Sequence, residues 1–171
     1  MNEQSDVEIR RKIYRLIYKN PGLHSRKIAK VLKISGQLAD YHLAYLEKDK
    51  LIIGVKQEGY RRFYVEGKIG HTERQRISLL RQEIPLKIIL FLLKNPNSRH
   101  SDLYNFIGIA PSTLSYHLKK LIDKDIVTFK VLNNEVFYFV KNEQEIINLV
   151  VKYEPHSWID NFEDVWADFT W

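Results

Sequence analysis

The sequence predicts a mainly helical α+β fold, built from two copies of one small domain and a C-terminal helical tail. Three observations lead to this prediction: an internal repeat, three helical segments in each copy, and two alternating segments after them. Residues 12–65 align without a gap with residues 87–140, an offset of 87 − 12 = 75 positions. The motif Tyr-His-Leu, for example, occurs at 41–43 and again at 116–118. A period of this length exceeds that of solenoid repeats and suits a whole domain.

In the first copy, apolar residues from Val7 to Ile17 recur at helical spacing until Pro21 ends the run. Ser25 can cap a second helix, and Ser35 precedes a third. The alternating residues that follow predict two strands joined by a turn. The predicted bounds are about 7–19 for the first helix and 36–49 for the third, with strands at 51–55 and 60–65.

The second copy follows the same plan, and the segment between the copies has the apolar spacing of a helical connector. Pro85 is either the first residue of the next helix or a kink in a longer one. We expect helices near 84–94, 101–107, 111–124 and 142–153, with strands near 126–131 and 135–140. The predicted organisation is a first domain at 1–67, a connector at 68–83, a second domain at 84–141, and a C-terminal helix and tail at 142–171.

Charge is distributed unevenly along the chain, whose net charge is +6. Lys and Arg outnumber Asp and Glu by 15 to 8 in residues 1–70 and by 11 to 6 in residues 71–141, whereas residues 142–171 carry 1 against 7. Basic repeats favour a polyanionic partner, and a solvated lysine-rich surface is the alternative.

Several classes of function are disfavoured by the composition. The chain has no Cys, which excludes disulfides and thiolate metal sites and fits a reducing compartment. No signal peptide and no apolar run of membrane-spanning length are present, so we expect a cytoplasmic protein. Without a phosphate-binding Gly loop, a metalloprotease motif or a carboxylate pair, we expect no enzyme activity, no cofactor and no metal site.

Two segments carry a resemblance to a known family. SGQLADYHLAYLEKDKLI (35–52) and APSTLSYHLKKLIDKDIV (110–127) resemble the third helix and first wing strand of archaeal and bacterial regulators of the ArsR and MarR type. Over residues 7–141 the chain resembles archaeal tandem winged-helix transcriptional regulators. The resemblance implies two tandem winged helix-turn-helix domains that bind double-stranded DNA sequence-specifically and regulate transcription. The alternative is a tandem winged-helix scaffold for protein–protein contacts.

The third helices carry most of the candidate DNA contacts. In the second copy, phasing on Leu114, Leu118 and Leu121 places polar residues on the opposite, exposed face. A winged helix normally offers that face to the major groove. Asp40 would repel phosphate, so the first copy is the less convincing base reader. The candidates are Ser35, Gln37 and Tyr41 in the first copy and Ser112, Ser115, Tyr116, Lys119 and Lys120 in the second.

For the hairpins, which form the wings of this fold, the first copy has the more convincing candidates for DNA contact. Lys56, Arg61 and Arg62 lie beside the turn of the first wing, where they could contact phosphate or the minor groove. The second wing has Asn133, Asn134 and Glu135 there instead.

Two further features have open interpretations. His42 and His117 recur at the same position and are expected to be structural histidines, hydrogen-bonded between helices, rather than a metal site or pH switch. The tail places Trp158, Phe162 and Trp166 at helical spacing among acidic residues. It could pack on the chain's own domains, form a homodimer contact, or dock on the transcription machinery.

Overall fold

A computed structural model describes residues 3–153, and the predictions for the tail at 154–171 concern residues outside them. The chain divides into two compact units, Met1–Ser78 and Leu79–Trp171. Each unit contains three helices followed by an antiparallel hairpin, so the predicted mainly helical α+β class is confirmed.

The described part of the first unit contains four helices and three strands. Their bounds are α1 Glu3–Lys19, β1 Leu23–His24, α2 Ser25–Leu32, α3 Gly36–Lys48, β2 Ile52–Gln57, β3 Tyr60–Val65 and α4 His71–Leu80, whose last two residues belong to the second unit. The three residues 33–35 make the tight turn between α2 and α3 that the sequence predicted.

The core of the first unit is built from one face of each helix and the inner side of the hairpin. Ile13 and Ile17 of α1 are fully buried, as the helical spacing of their segment requires. They belong to one apolar cluster with Ile28 of α2, Leu43 of α3 and Phe63 of β3. Burying each such side chain contributes about 1.5–3 kcal/mol. This core fixes the orientation of α3 against the hairpin.

The second unit repeats the arrangement and adds one helix. Its elements are α5 Glu83–Lys94, β4 Ser98–Arg99, α6 His100–Ile107, α7 Pro111–Asp123, β5 Val127–Leu132, β6 Glu135–Val140 and α8 Glu143–Lys152. The core here includes α8 through Ile146, Leu149 and Val150, together with Leu86 and Leu90 of α5. Helix α5 is therefore buried more completely than α1.

Each hairpin is part of a three-stranded sheet, which the sequence did not indicate. The strand orders are β1-β3-β2 and β4-β6-β5. Strand β1 pairs antiparallel with β3 through Leu23↔Phe63 and His24↔Arg62. A two-residue strand is too short to show a period of two, so no pattern could reveal it.

The hairpin turns have matching geometry. Glu58 and Gly59 have φ angles of +51° and +79°, and Asn133 and Asn134 have +50° and +63°. Positive φ at both central residues is typical of a type I′ turn, which suits the twist of a two-residue hairpin. Gly and Asn tolerate this conformation best.

Three local expectations differ from the structure. The first helix begins at Glu3 rather than near residue 7. Pro85 is the third residue of α5, neither its first residue nor a kink, and it lies in the turn where helical N–H groups have no acceptor. His24, not Ser25, caps α2, and its Nδ1 accepts a hydrogen bond from the Lys27 N–H at 3.3 Å.

None of the helices within residues 3–153 is long and apolar enough to span a membrane.

Candidate nucleic-acid interface

The third helix of each unit exposes the face that the sequence phasing predicted. In α7, Leu114, Leu118 and Leu121 are buried, and the opposite side is open. In α3, the buried positions are Ala39, His42, Leu43 and Leu46. The exposed candidates are Gln37 and Tyr41 on α3 and Ser112, Ser115, Tyr116 and Lys119 on α7, while Lys120 is half-buried.

The two tyrosines dominate these faces. Tyr41 is 55% exposed and Tyr116 is 58% exposed, at equivalent positions of the repeat. The ammonium of Lys120 lies 5.0 Å from the centre of the Tyr116 ring. Lys119 points to solvent beside this pair. The second unit therefore presents a phenol and two ammonium groups on one helix surface, which suits contact with a polyanion.

A side-chain hydrogen bond joins the second and third helices of each unit, α2 to α3 in the first and α6 to α7 in the second. The Ser25 hydroxyl donates to a carboxylate oxygen of Asp40. At the equivalent positions, His100 Nε2 and Ser115 Oγ lie 3.1 Å apart. The bond occupies Asp40, which was expected to repel phosphate, and it also restrains Ser115. Ser35 has a structural role of its own, because its Oγ caps α3 by accepting from Leu38 N–H at 3.1 Å.

Glu47 connects α3 to the hairpin of β2 and β3, the wing of the first unit. Its carboxylate accepts two hydrogen bonds from Arg61 Nη2, at 2.8 and 3.0 Å, and one from Gly54 N–H at 2.8 Å. A Cβ on Gly54 would lie 2.5 Å from Arg61 Nε and 2.6 Å from the same carboxylate, so a larger residue here would displace the ion pair. The sequence offered no signal for Glu47. Arg61 stays 63% exposed despite the ion pair, and Lys56 pairs with it across the hairpin and is exposed.

The expectation that Arg62 lies exposed beside the wing turn is wrong. Its side chain is only 4% exposed, and its Nη1 donates to the carbonyl of Gly22 at 2.8 Å. Burial lowers the pKa of the guanidinium, and Tyr64, Glu58 and Tyr60 act in the opposite direction. Neighbouring residues of a strand face opposite sides of the sheet, so Arg61 and Arg62 cannot both face outward. Arg62 supports β1 against β3 and offers no surface to DNA.

The second wing differs in chemistry from the first. Phe129, Val131 and Leu132 of β5 are exposed, Val131 by 63%, and Val136 of β6 is also exposed. Val131 and Val136 occupy the positions of Lys56 and Arg61 in the first wing. Within the described residues, an opposed pair of cations near the hairpin turn is therefore found at this position in the first unit and not in the second.

His42 is buried, but the expected hydrogen bond between helices is absent. Both ring nitrogens are buried without a hydrogen-bond partner within residues 3–153, and Nε2 lies 3.9 Å from Asp6 Oδ1 of α1. Burial lowers the pKa of His42; Asp6 raises it and Arg10 lowers it further. Burial likewise lowers the pKa of His24, with Arg62 adding to the effect. Both rings are therefore neutral in the folded protein near neutral pH.

These depressed pKa values predict that the first unit loses stability in mild acid. The unfolded chain takes up protons on His24 and His42 near pH 6.5, and the folded chain does so only at lower pH. The contribution of these two histidines to the free energy of unfolding is therefore fully present above about pH 6.5 and is lost as the pH falls below it. We expect His42→Leu to reduce the difference between urea midpoints measured at about pH 7.5 and about pH 5.5. The control is His71→Leu, at an exposed position of the same unit; an unchanged difference in His42→Leu would contradict the assignment.

The described residues contain no cluster of His, Asp or Glu that could hold a metal ion.

Comparison with known proteins agrees with this geometry. A family model described as winged helix-turn-helix DNA-binding matches residues 7–53 and 81–128, one match in each unit. An uncharacterised helix-turn-helix transcriptional regulator of Methanocaldococcus jannaschii is 31% identical over 133 residues, which are 78% of this chain and 33% of the relative. The chain thus spans about a third of the length of that archaeal relative.

Solved structures similar to this chain include two bacterial proteins. HlyU from Vibrio cholerae is 25% identical over 45% of this chain and 86% of its own, with a TM-score of 0.40. YodB from B. subtilis is 23% identical over 56% of this chain and 96% of its own, with a TM-score of 0.45.

The family model covers more than half of the chain and matches it twice, at the helices whose exposed faces are described above. The chain therefore belongs to the winged helix-turn-helix DNA-binding family and has two such domains in tandem.

Proposed function

We propose that this regulator binds double-stranded DNA sequence-specifically and uses both winged helices to do so. The observation that carries the proposal is the pair of exposed third-helix faces, each centred on a tyrosine at the same position of the repeat. Both domains are basic, with 15 Lys and Arg against 8 Asp and Glu in residues 1–70. Two linked domains in one chain replace the two-fold pair that a single-domain regulator forms by dimerising.

The two domains divide the work in this proposal. In the second, Ser112, Tyr116 and Lys119 read base edges, since they are exposed near the start and middle of α7. In the first, Gln37 and Tyr41 face the groove while Lys56 and Arg61 contact phosphate. Asp40, held by Ser25, makes the first helix the weaker reader.

One observation favours the alternative of an interaction scaffold. The exposed apolar residues of the second wing suit a protein contact better than a phosphate contact. A scaffold would bind DNA weakly and without sequence preference, which separates the two proposals by experiment.

The test is a mobility shift with the upstream regions of the protein's own gene and its neighbours, at several salt concentrations. We expect affinity to fall linearly on a log-log salt plot, with a slope near −0.9 per phosphate neutralised. In Lys56→Ala/Arg61→Ala, the slope should flatten by about one to two units, because the two wing cations proposed to contact phosphate have been removed.

The control variant is Lys12→Ala, which removes an exposed cation of α1 that pairs with Glu8. It should leave the slope unchanged. A slope in Lys56→Ala/Arg61→Ala equal to that of the wild type would refute the wing contact. Equal affinity of the wild type for every DNA tested would favour the scaffold.

A further inference from the structure

The first domain contains a groove that its DNA-binding role does not use. It lies between α1 and the C-terminal half of α3, it is also lined by Leu51, and it has a volume of about 460 Å³. The groove is lined by Tyr45 and Leu46 of α3 and by Asp49, the residue that follows this helix. All three come after Gln37 and Tyr41 in the chain, so the start of α3 stays free.

The groove combines an apolar floor with a cationic rim. Val7, Tyr14, Leu46 and Leu51 line it, and Val7 and Leu51 are exposed. Arg10, Arg11 and Arg15 also line it, against a single carboxylate from Asp49. The Arg10 guanidinium lies 4.1 Å from the centre of the Tyr45 ring, a cation–π contact between two residues that line the groove. A matching ligand carries aromatic groups and several carboxylates.

The second domain repeats the fold but not the arginines that line this groove. At the offset of 75, Arg10, Arg11 and Arg15 correspond to Pro85, Leu86 and Leu90. All three are buried, and Leu86 and Leu90 belong to the cluster that includes α8. The second domain thus fills this face with its own core. The arginines of the first domain are a departure from the shared plan, not a consequence of it.

The sequence of residues 154–171 has the composition that the groove requires. Its carboxylates are Glu154, Asp160, Glu163, Asp164 and Asp168, and it contains no Lys or Arg. Five aromatic residues alternate with them, and all three tryptophans of the protein, Trp158, Trp166 and Trp171, are among these.

We propose that the groove binds residues 154–171 of a second copy of the chain, with aromatic rings on the apolar floor and carboxylates at the arginine rim. Two copies that exchange tails form a closed two-fold pair with two such contacts. The proposal does not depend on which DNA, if any, the protein binds.

Tryptophan fluorescence of the full-length protein reports this contact selectively, because no tryptophan lies outside the tail. We expect the tryptophan emission to be blue-shifted and the tryptophans to be protected from a soluble quencher. Light scattering of the same sample should give the mass of a dimer. Arg11→Glu/Arg15→Glu should shift the emission to that of tryptophan in water and halve the mass. Both positions are exposed, so circular dichroism should be unchanged. The control is Lys19→Glu/Lys30→Glu, an equal charge change at exposed positions outside the groove, which should retain the dimer.

Charge exchange provides the decisive arm. Adding Asp160→Lys/Asp164→Lys to Arg11→Glu/Arg15→Glu should restore the blue-shifted emission and the dimer, since the ion pairs are reformed with reversed sign. Failure of this rescue would overturn the proposal. Water-like emission in the wild type at every concentration would also overturn it, as would shielded tryptophans in a monomer. If the Arg11→Glu/Arg15→Glu variant bound DNA more weakly while its tryptophan emission stayed unchanged, the arginines would be assigned to DNA binding instead.

Discussion

Leu118→Ala should lower the free energy of unfolding of the second domain by about 2–5 kcal/mol and leave the first domain folded. Leu118 of α7 is 2% exposed and packs in the core of the second unit. Its truncation removes buried methyl groups and leaves a cavity that close packing can only partly refill. A small domain has little stability in excess of this decrease, so the variant domain should be largely unfolded at moderate temperature.

The internal repeat supplies the matched variant. Leu43 is the equivalent residue of the first domain and is 1% exposed. Leu43→Ala should lower the stability of the first domain by a similar amount and spare the second. Hydrogen exchange measured on peptides from each unit distinguishes the two cases. If either substitution released both units together, the two would unfold as one cooperative body, and the predicted domain division would be wrong.

Replacing Tyr116 or Lys119 by alanine should weaken binding to the cognate operator by about 1–3 kcal/mol for each base contact that the substitution removes. Both side chains are exposed on α7, away from Leu114 and Leu118, so the fold should survive the change. Binding to random DNA should weaken less, because interactions with phosphate supply most of the nonspecific affinity.

The control for this experiment is Tyr18→Ala. Tyr18 lies on α1 and is 56% exposed, close to the 58% of Tyr116, so the two substitutions remove similar side-chain area from the surface. Tyr18→Ala should leave both affinities unchanged. Equal decreases in affinity for cognate and random DNA in Tyr116→Ala would show that the phenol anchors the backbone and reads no base.

Much of the fold could be predicted from the sequence because its signals are local and occur twice. Helical spacing located α1, α3, α5 and α7, and it separated their buried and exposed faces. A side chain on a regular helix has one direction for a given phase, so the exposed tyrosines followed from the apolar stripe. The repeat then transferred each assignment from one domain to the other. The winged helix-turn-helix family was recognisable from the same segments.

The wing was harder to predict, for a reason that Arg61 and Arg62 illustrate. Strand alternation requires adjacent side chains to face opposite sides of the sheet, but it does not say which side is covered. In the pairing of β1 with β3, Arg62 lies opposite His24, and the carbonyl of Gly22 accepts a hydrogen bond from its guanidinium. Both partners are about 40 positions away in the chain, beyond any local pattern. The same holds for Glu47, whose contact with Arg61 exists only once α3 and the hairpin have packed.

The sequence by itself determined that the chain has two winged-helix domains, that they are basic, and that each third helix presents a tyrosine to solvent. These properties depend on composition and on periods of two and 3.6 residues, which are readable one segment at a time. Only the tertiary structure decided that Arg62 is buried, that Asp40 is held by Ser25, and that three arginines surround an apolar groove. Each of these depends on contacts between segments distant in the chain, and such contacts are set by how the elements pack.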